Sequence, residues 1–572
     1  MNFCYCIGGS AARVAEAAAH LCAMNLTKGE DVTFVIADKD SKCGGTIQAR
    51  NVIESVAALS GEGNTSLKRS SKIVQDGRRE FCKSNLKIKT WNFSKHVGNL
   101  SNDEIESISL KSALSSRDHN MQINDAILFD AFYSNDDQER DTEKGFYGRP
   151  AIGSLIFKYM IKEGKWNGEN SYHDDDIAYP VKEYLRENIG EKVRVFIVGS
   201  IFGGTGASLF SNLAAHIRTS VSESYQDRLT ISGCLLLPYF NFVSKEGDLI
   251  DPQEFYVKSK EALTQYAADK NLLKKDGNKK GYFDSIYVCG QHPLHTTGEV
   301  YSIGGDTQKN HFDLIDLVGA KAMTEFFACK EDNLGEITNG KVFEYRLMDA
   351  QDGELSYMTL SGNTTGLLRE MLTMLSFCSF VMCKIYAPIK LDGNTPDVVD
   401  FYRSLFKSNE LVSRKGFLGT KTIVTGEYQT EIYPAIEAMT NSIVAYCNSY
   451  LRFLYDISKN GHNWSETDDK SKESMYSLFD SDYIFSLQKI SSLIAQGSDS
   501  VRSDIDSFSS KRDRIKGMEN AGASPNDVEE ALQIKFNGKA DMFKNGDVSA
   551  TARLGDYIHE AFAICYEKAG AQ

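Results

Sequence analysis

Gly203, Gly204, Thr205 and Gly206 sit between an apolar run and an amphipathic stretch, and their types and spacing suit them to holding an anion. Glycines let a backbone approach a ligand with no Cβ in the way. Thr205 offers a hydroxyl, and the first amides of a helix beginning here point back at the turn. Gly8, Gly9 and Ser10 form a second such turn near the start of the chain, and Gly148, Arg149 and Pro150 a third, in which proline pre-sets a helix start. Arg149 is either a bidentate donor to a terminal phosphate or half of a surface salt bridge. Asp38 and Asp40 follow an apolar run, where a carboxylate holds a ribose or sits near a metal. Together these residues spell phosphate binding.

The elements that must position them are legible from periodicity. Residues 193–198 are a near-continuous β-branched run, as for a strand covered on both faces of a parallel sheet. Leu209, Leu213 and Ile217 then recur every four residues, with Phe210 and Ala214 widening the stripe, so a helix leaves the glycine turn. Residues 2–7, 11–24 and 32–37 repeat strand, glycine turn, helix and strand. Further strands are expected at 229–237 and 284–289, and a helix at 261–268. Residues 310–328 have helical spacing through Phe312, Ile315, Val318, Ala322 and Phe326. The fold class is α/β: a Rossmann-like parallel sheet that binds nucleotide, a central helix, a second α+β domain and a helical C-terminal region.

The turn at 203–206 lacks both G-x-x-x-x-G-K-[ST] and G-x-G-x-x-G spacing. It resembles the glycine signature of the tubulin/FtsZ superfamily, with Phe202 in place of the first glycine and Ser208 in place of the last. Arg149, Pro150, Ala151, Ile152 and Gly153 stand where that family has a loop ending in N-P-E-[IV]-G, and Pro238, Phe240 and Phe242 stand where it has a P-F-x-F-E-like segment. The resemblance covers roughly residues 1 to 330 and implies a GTP site, with ATP the lesser option and Mg2+ as companion. In it Gly8, Gly9, Ser10, Gly148, Arg149, Gly203, Gly204, Thr205 and Gly206 meet the phosphates, and Asp38 or Asp40 lies near ribose or Mg2+. Phe312 stacks on the base and Asp316 reads its edge, with Asn310 a competing reader. A carboxylate accepts from guanine N1 and N2, so Asp316 favours GTP. The family's catalytic acid follows its central helix and reaches into the neighbouring subunit; its N-x-D-x-x-D motif is not recognisable here, and Glu331 and Asp332 stand where that loop should begin. The implied function is a GTPase that self-assembles into filaments with nucleotide at the subunit interface. The alternatives are a nucleotide-binding switch or scaffold that does not polymerise, and a Rossmann-type dinucleotide-dependent enzyme.

A chain of 572 residues is too long for one core. The expected division is a nucleotide domain over 1–309 with a polar insertion at about 47–120, a central helix over 310–329, a second domain over 330–395 and a helical domain over 396–572. Net charge of −14 argues against a broad nucleic-acid-binding face. The 12 cysteines are scattered with no C-x-x-C pair and read as reduced core thiols of a cytoplasmic protein. The longest apolar stretch, 371–383, is short for a membrane span and holds Thr373, Ser376 and Ser379. Beyond 396 the pattern is helical, with helices expected at 398–406, 432–457, 474–494, 527–536 and 550–568, suited to binding a protein partner.

Overall fold

The computed structural model describes residues 1–40, 42–60, 81–92, 109–111, 123–140, 142, 145–146, 148–163, 175–243, 252–273, 281–292, 294–300, 305, 312–348, 366–392, 412–415, 421–424, 433–460, 479–496, 501–512, 521–538 and 550–569. They form two compact units, the first built from Met1–Leu21, Leu26–Ile53 and Leu86–Gly353, the second from Cys22–Asn25, Glu54–Asn85 and Glu354–Gln572.

The strands of the first unit are β1 Asn2–Ile7, β2 Val32–Asp38, β3 Leu86–Asn92, β4 Val193–Ser200, β5 Leu229–Leu236, β6 Phe240–Val243, β7 Ser285–His292, β8 His295–Val300 and β9 Lys341–Met348. Seven of them make one sheet in the order β3-β2-β1-β4-β5-β7-β9, with every described pairing parallel. Strand order reverses between β1 and β4, which lie side by side with Ile7 opposite Gly199. That is the switch point at which open α/β sheets take their ligands. Val193, Val195, Phe196, Ile197 and Val198 have no exposed surface, and burying each contributes on the order of 1.5–3 kcal/mol.

The helices that begin in this unit are α1 Gly8–Ala23, α2 Gly44–Ser60, α3 Ile123–Phe132, α4 Asn135–Glu139, α5 Pro150–Glu163, α6 Tyr179–Glu187, α7 Gly204–Ser220, α8 Pro252–Ala268, α9 Leu314–Ala328 and α10 Glu331–Thr338. The alanines of α1 are wholly buried. Their small size permits close packing, as at Gly319 of α9, where a Cβ would lie 3.2 Å from the Val14 side chain. Buried polar links join the segments: Arg218 of α7 pairs with Asp284 at 2.6 Å, and Asp176 pairs with Lys182 at 3.2 Å and shares a hydrogen bond with His216 at 2.7 Å.

Several boundaries differ from those expected. The stretch at 47–120, read as an insertion, contributes most of α2 and the sheet strand β3. Lys341–Met348, expected in a second domain, is the seventh strand of the sheet, because α9 and α10 together return the chain beside β7. Helix α9 begins at Leu314 rather than at 310. The parallel pair β6 with β8 and a hairpin of Val412–Lys415 with Lys421–Val424 were not foreseen. Residues 349–365 of the expected second domain and the helix expected at 398–406 lie outside the described residues.

The second unit is helical, with Gly366–Phe380, Ala387–Asp392, Tyr433–Asn460, Ser481–Gln496, Val501–Ser510, Pro525–Gly538 and Ala550–Ala569 joined to one π-helical turn, Val381–Tyr386. Phe81 packs its ring against Phe377, Tyr446 and Phe562 at 4.8, 5.6 and 5.3 Å between centroids. Leu367–Leu391 is long and apolar enough to cross a membrane, longer than the stretch read from sequence, and 83% of its apolar window is buried. None of the 12 cysteines is in a disulfide.

Candidate functional site

Two glycine turns meet at the switch point. Gly8, which follows β1 and opens α1, has φ +80°, and a Cβ there would lie 3.3 Å from the amide nitrogen of Gly206 and 3.4 Å from Thr205 Cβ. Only glycine takes that conformation without strain and leaves the room. At Gly206 a Cβ would fall 2.7 Å from Ser200 N and 2.8 Å from Ser200 O, so this turn folds onto the last residue of β4. Gly203 caps α7 in extended conformation with no side-chain cap, leaving the first amides of that helix to another acceptor. The third turn joins them: a Cβ at Gly204 would lie 2.9 Å from Phe146 Cβ and 3.1 Å from Gly148 N. The starts of α1, α5 and α7 therefore converge, and their amides and dipoles favour an anion there.

Asp38 closes the site from β2. Its Oδ1 accepts from the Thr205 hydroxyl at 3.3 Å and from the Asp40 amide at 3.4 Å, and its Oδ2 from the Thr46 hydroxyl at 3.2 Å. Burial first, then the neighbouring Asp40, push this carboxyl up to about 6 against those bonds. Asp40 organises the following turn, accepting from Gly305 N at 2.7 Å and Lys42 N at 3.1 Å. Arg149 lies beside the third turn with its guanidinium ion-paired to Asp137 of α4. Of the two roles open to it, the salt bridge is the one formed.

Phe202, standing where the resembled signature has glycine, fills an aromatic box of Tyr239, Phe240 and Phe255, with centroids 5.5–5.7 Å away. Tyr239 leads on to the start of α9. There Asp313 is the N-cap, accepting from Ile315 N, while Asp316 Oδ2 accepts from Asp313 N at 3.0 Å, a capping box. Phe312 consequently precedes the helix, correcting the expectation that it lies within it. Phe312 is buried, and Asn310 lies outside the described residues. Both Asp316 oxygens are engaged: its Oδ2 also takes Arg13 Nε at 3.2 Å and its Oδ1 takes the Tyr239 hydroxyl at 3.3 Å, while Arg13 bonds Tyr239 as well. Burial pushes the Asp316 carboxyl up to about 6 although Arg13 opposes it. Burial also works against the charge of Arg13, but Tyr239 and Asp316 outweigh it and hold its pKa above the usual value.

Glu331 and Asp332 stand at the other end of the sheet. Glu331 pairs with Arg194 at 2.5 Å and Lys192 at 2.6 Å, at the start of β4, whereas the glycine turns follow its end. The six steps from Arg194 to Ser200 span about 20 Å. Neither acid reaches the glycine turns of its own chain. Among the described residues, no group of three His, Cys, Asp or Glu side chains is placed to hold a metal ion.

Arg13, Thr46, Tyr239 and Arg194 were missed as participants. The signal for Arg13 was its presence in an otherwise alanine-rich helix; nothing local marks Arg194 or Tyr239.

No curated protein matches the chain. Residues 165–390 match the model of a family described as tubulin-like. That stretch contains β4, the 203–206 turn, the aromatic box, α9 and the acidic corner, and the structure adds to it β1, β2 and their turns in one parallel sheet. The glycine turn of β4, inside the match and at the switch point of such a sheet, supports membership of the tubulin-like superfamily.

Proposed function

We propose that the chain binds GTP at the three converging turns and self-assembles head to tail, each copy completing the nucleotide site of the next. The observation that carries this is the separation of chemistry between two ends of one sheet: phosphate-binding turns follow β1 and β4, and exposed acid lies about 20 Å away at the start of β4. An acid so placed acts only on another copy, and heterologous contacts of this kind propagate into filaments.

Gly8, Gly9, Ser10, Gly148, Gly203, Gly204, Thr205 and Gly206 are the proposed phosphate residues, with Arg149 joining them when it leaves Asp137. Mg2+ neutralises charge on phosphates and binds through one or two carboxylates; Asp38 is the candidate, since a cation would stabilise a carboxylate that burial and Asp40 now disfavour. Phe312 and Asp316 remain the proposed base residues. The Asp316 bond to the Tyr239 hydroxyl is the long one of its set, and a guanine N1 or N2 donor replaces it while Arg13 keeps the carboxylate oriented. Of the far acids, Asp332 is the better candidate for completing hydrolysis, because both oxygens of Glu331 are engaged by Lys192 and Arg194. Catalysis in such a site is positioning and charge stabilisation.

The test is turnover per subunit, with GTP and with ATP in Mg2+, over a wide range of protein concentration. Turnover that rises with concentration supports the shared site. GTP binding with flat or absent turnover makes the chain a switch or scaffold, and failure to bind either nucleotide sinks the reading.

A further inference from the structure

Arg194, near the start of β4, is almost wholly buried, and its guanidinium spends its donors on one corner. Nη1 donates to the carbonyls of Phe326, Phe327 and Cys329 at 3.3, 3.1 and 2.6 Å, and Nη2 donates to Glu331 Oε1 at 2.5 Å. The carbonyls at a helix end have no partner within the helix, and a cation there is favoured by the helix dipole. One planar group thus closes the end of α9 and grips the first residue of α10, spanning the Cys329–Lys330 joint between them. Lys192 Nζ takes the other Glu331 oxygen at 2.6 Å. Burial works against the Glu331 charge, but Lys192 and Arg194 outweigh it and hold the carboxyl below its ordinary value. Glu331 is a strut, and Asp332, the next residue, is left exposed on the first turn of α10.

We propose that Arg194 is the positioning residue of this acidic corner, fixing the turn between α9 and α10 so that Asp332 is presented to a second copy of the chain. The inference rests on the reading of a nucleotide site shared between copies. The planar fork is what the role requires: a lysine at 194 would satisfy one or two acceptors but not hold the helix end and Glu331 together. Misplacing a catalytic group by about 1 Å costs roughly a hundredfold in rate, so the effect of losing the fork falls on turnover and leaves the chain's own glycine turns intact.

Mixing variants tells which end of the subunit Arg194 serves. Arg194→Ala is expected to bind GTP within about twofold of the wild type, because the turns lie about 20 Å away, and to lose about ten- to a hundredfold in turnover at saturating GTP; Arg194→Lys recovers part of it. Mixed with Asp332→Asn chains, Arg194→Ala regains nothing, since both lack a working far end. Mixed with Gly206→Ala chains, whose far end is intact, it regains turnover. Glu331→Gln, which keeps the helix end capped, runs beside it as the milder lesion and follows the same pattern. Restoration by Asp332→Asn chains would place the effect of Arg194 in its own nucleotide site and overturn the inference. So would undiminished turnover in Arg194→Ala with GTP bound, or loss of GTP binding in both Arg194→Ala and Glu331→Gln. Wild-type turnover that is flat with concentration overturns the shared site itself, a result visible before any variant is made.

Discussion

Removing Arg13 should unsettle the start of α9 through the carboxylate it leaves behind. Asp316 has no exposed surface, and burial raises its pKa from 3.8 to about 6 even with the guanidinium 3.2 Å away. A raised carboxylate pKa means that ionisation costs folded-state stability: the cost is absent below about pH 4, grows as pH rises to 6, and is then constant, amounting to roughly 3 kcal/mol for a two-unit shift. Arg13→Met takes away the opposing charge, so at pH 7.5 the carboxyl either stays ionised and unpaired or takes up a proton. Breaking one half of a buried pair typically costs about 3–5 kcal/mol, whereas replacing both halves is often near neutral. Arg13→Met should therefore lose about 3–5 kcal/mol at pH 7.5 and less than half of that at pH 5, where Asp316 is mostly protonated in both proteins; the residue at low pH is the lost bond to Tyr239, about 1 kcal/mol. Arg13→Met with Asp316→Asn should recover at least half of the loss at pH 7.5. Because the chain has two units, the readout is amide hydrogen exchange in peptides covering residues 314–328, which reports the local opening free energy. A loss below about 1 kcal/mol at pH 7.5, or an equal loss at both pH values, would refute the account of Asp316 as a buried carboxylate held by Arg13.

Gly206→Ala should fold yet lose GTP binding by at least about a hundredfold, measured by calorimetry, because its Cβ lies 2.7 Å from a backbone nitrogen that cannot give way; binding within fivefold of the wild type would mean that the turn does not touch phosphate. Asp38→Asn should stabilise the nucleotide-free protein by about 1–3 kcal/mol at pH 7.5 while weakening GTP binding in Mg2+. That gain follows the ionisation of Asp38, so it fades as pH falls through about 6 towards 4; hydrogen exchange in peptides covering 32–46 reads it, and a gain that persists at pH 4 contradicts it. Arg149→Ala should cost little stability, since its pair with Asp137 is partly exposed and such pairs contribute about 0–1 kcal/mol. If Arg149 also transfers to a terminal phosphate, the same variant lowers affinity for GTP far more than for GDP; equal affinities leave it as a salt bridge.

What the sequence made legible and what it hid follow from how far each feature is local. The glycine turns were readable because a strand that must run straight into a helix around an anion needs small residues at fixed offsets, and Gly206 meets that need against Ser200, six residues before it. The start of α9 was readable in principle: Asp313 and Asp316, three apart before an apolar run, have capping-box spacing, and giving that spacing more weight than apolar periodicity would have set the start at 314 and taken Phe312 off the helix. The sheet's outer strands were not, because β3 lies in a polar stretch and β9 follows two helices; edge strands need no continuous apolar run, and pairing at a distance leaves no periodic mark.

The partner of Asp316 lies 303 residues away, and the partners of Glu331 lie 139 and 137 residues away. No spacing rule reaches those pairs, and they decide what each acid is free to do. Read as a string, Asp316, Glu331 and Asp332 are three carboxylates flanking one helix. In the fold, Asp316 caps α9 and pairs with Arg13, Glu331 is engaged on both oxygens at the turn that Arg194 grips, and Asp332 is exposed beside it. Helix α9 is then the element that separates function into two ends, since it begins at the base pocket proposed for one nucleotide and finishes at the acid proposed to serve the next. Its length sets the spacing: fifteen residues at about 1.5 Å each span roughly 22 Å, close to the span of the β4 strand it crosses. A copy stacked along the strand direction would bring Asp332 over the glycine turns of its neighbour, and the same translation repeated builds a filament rather than a closed pair.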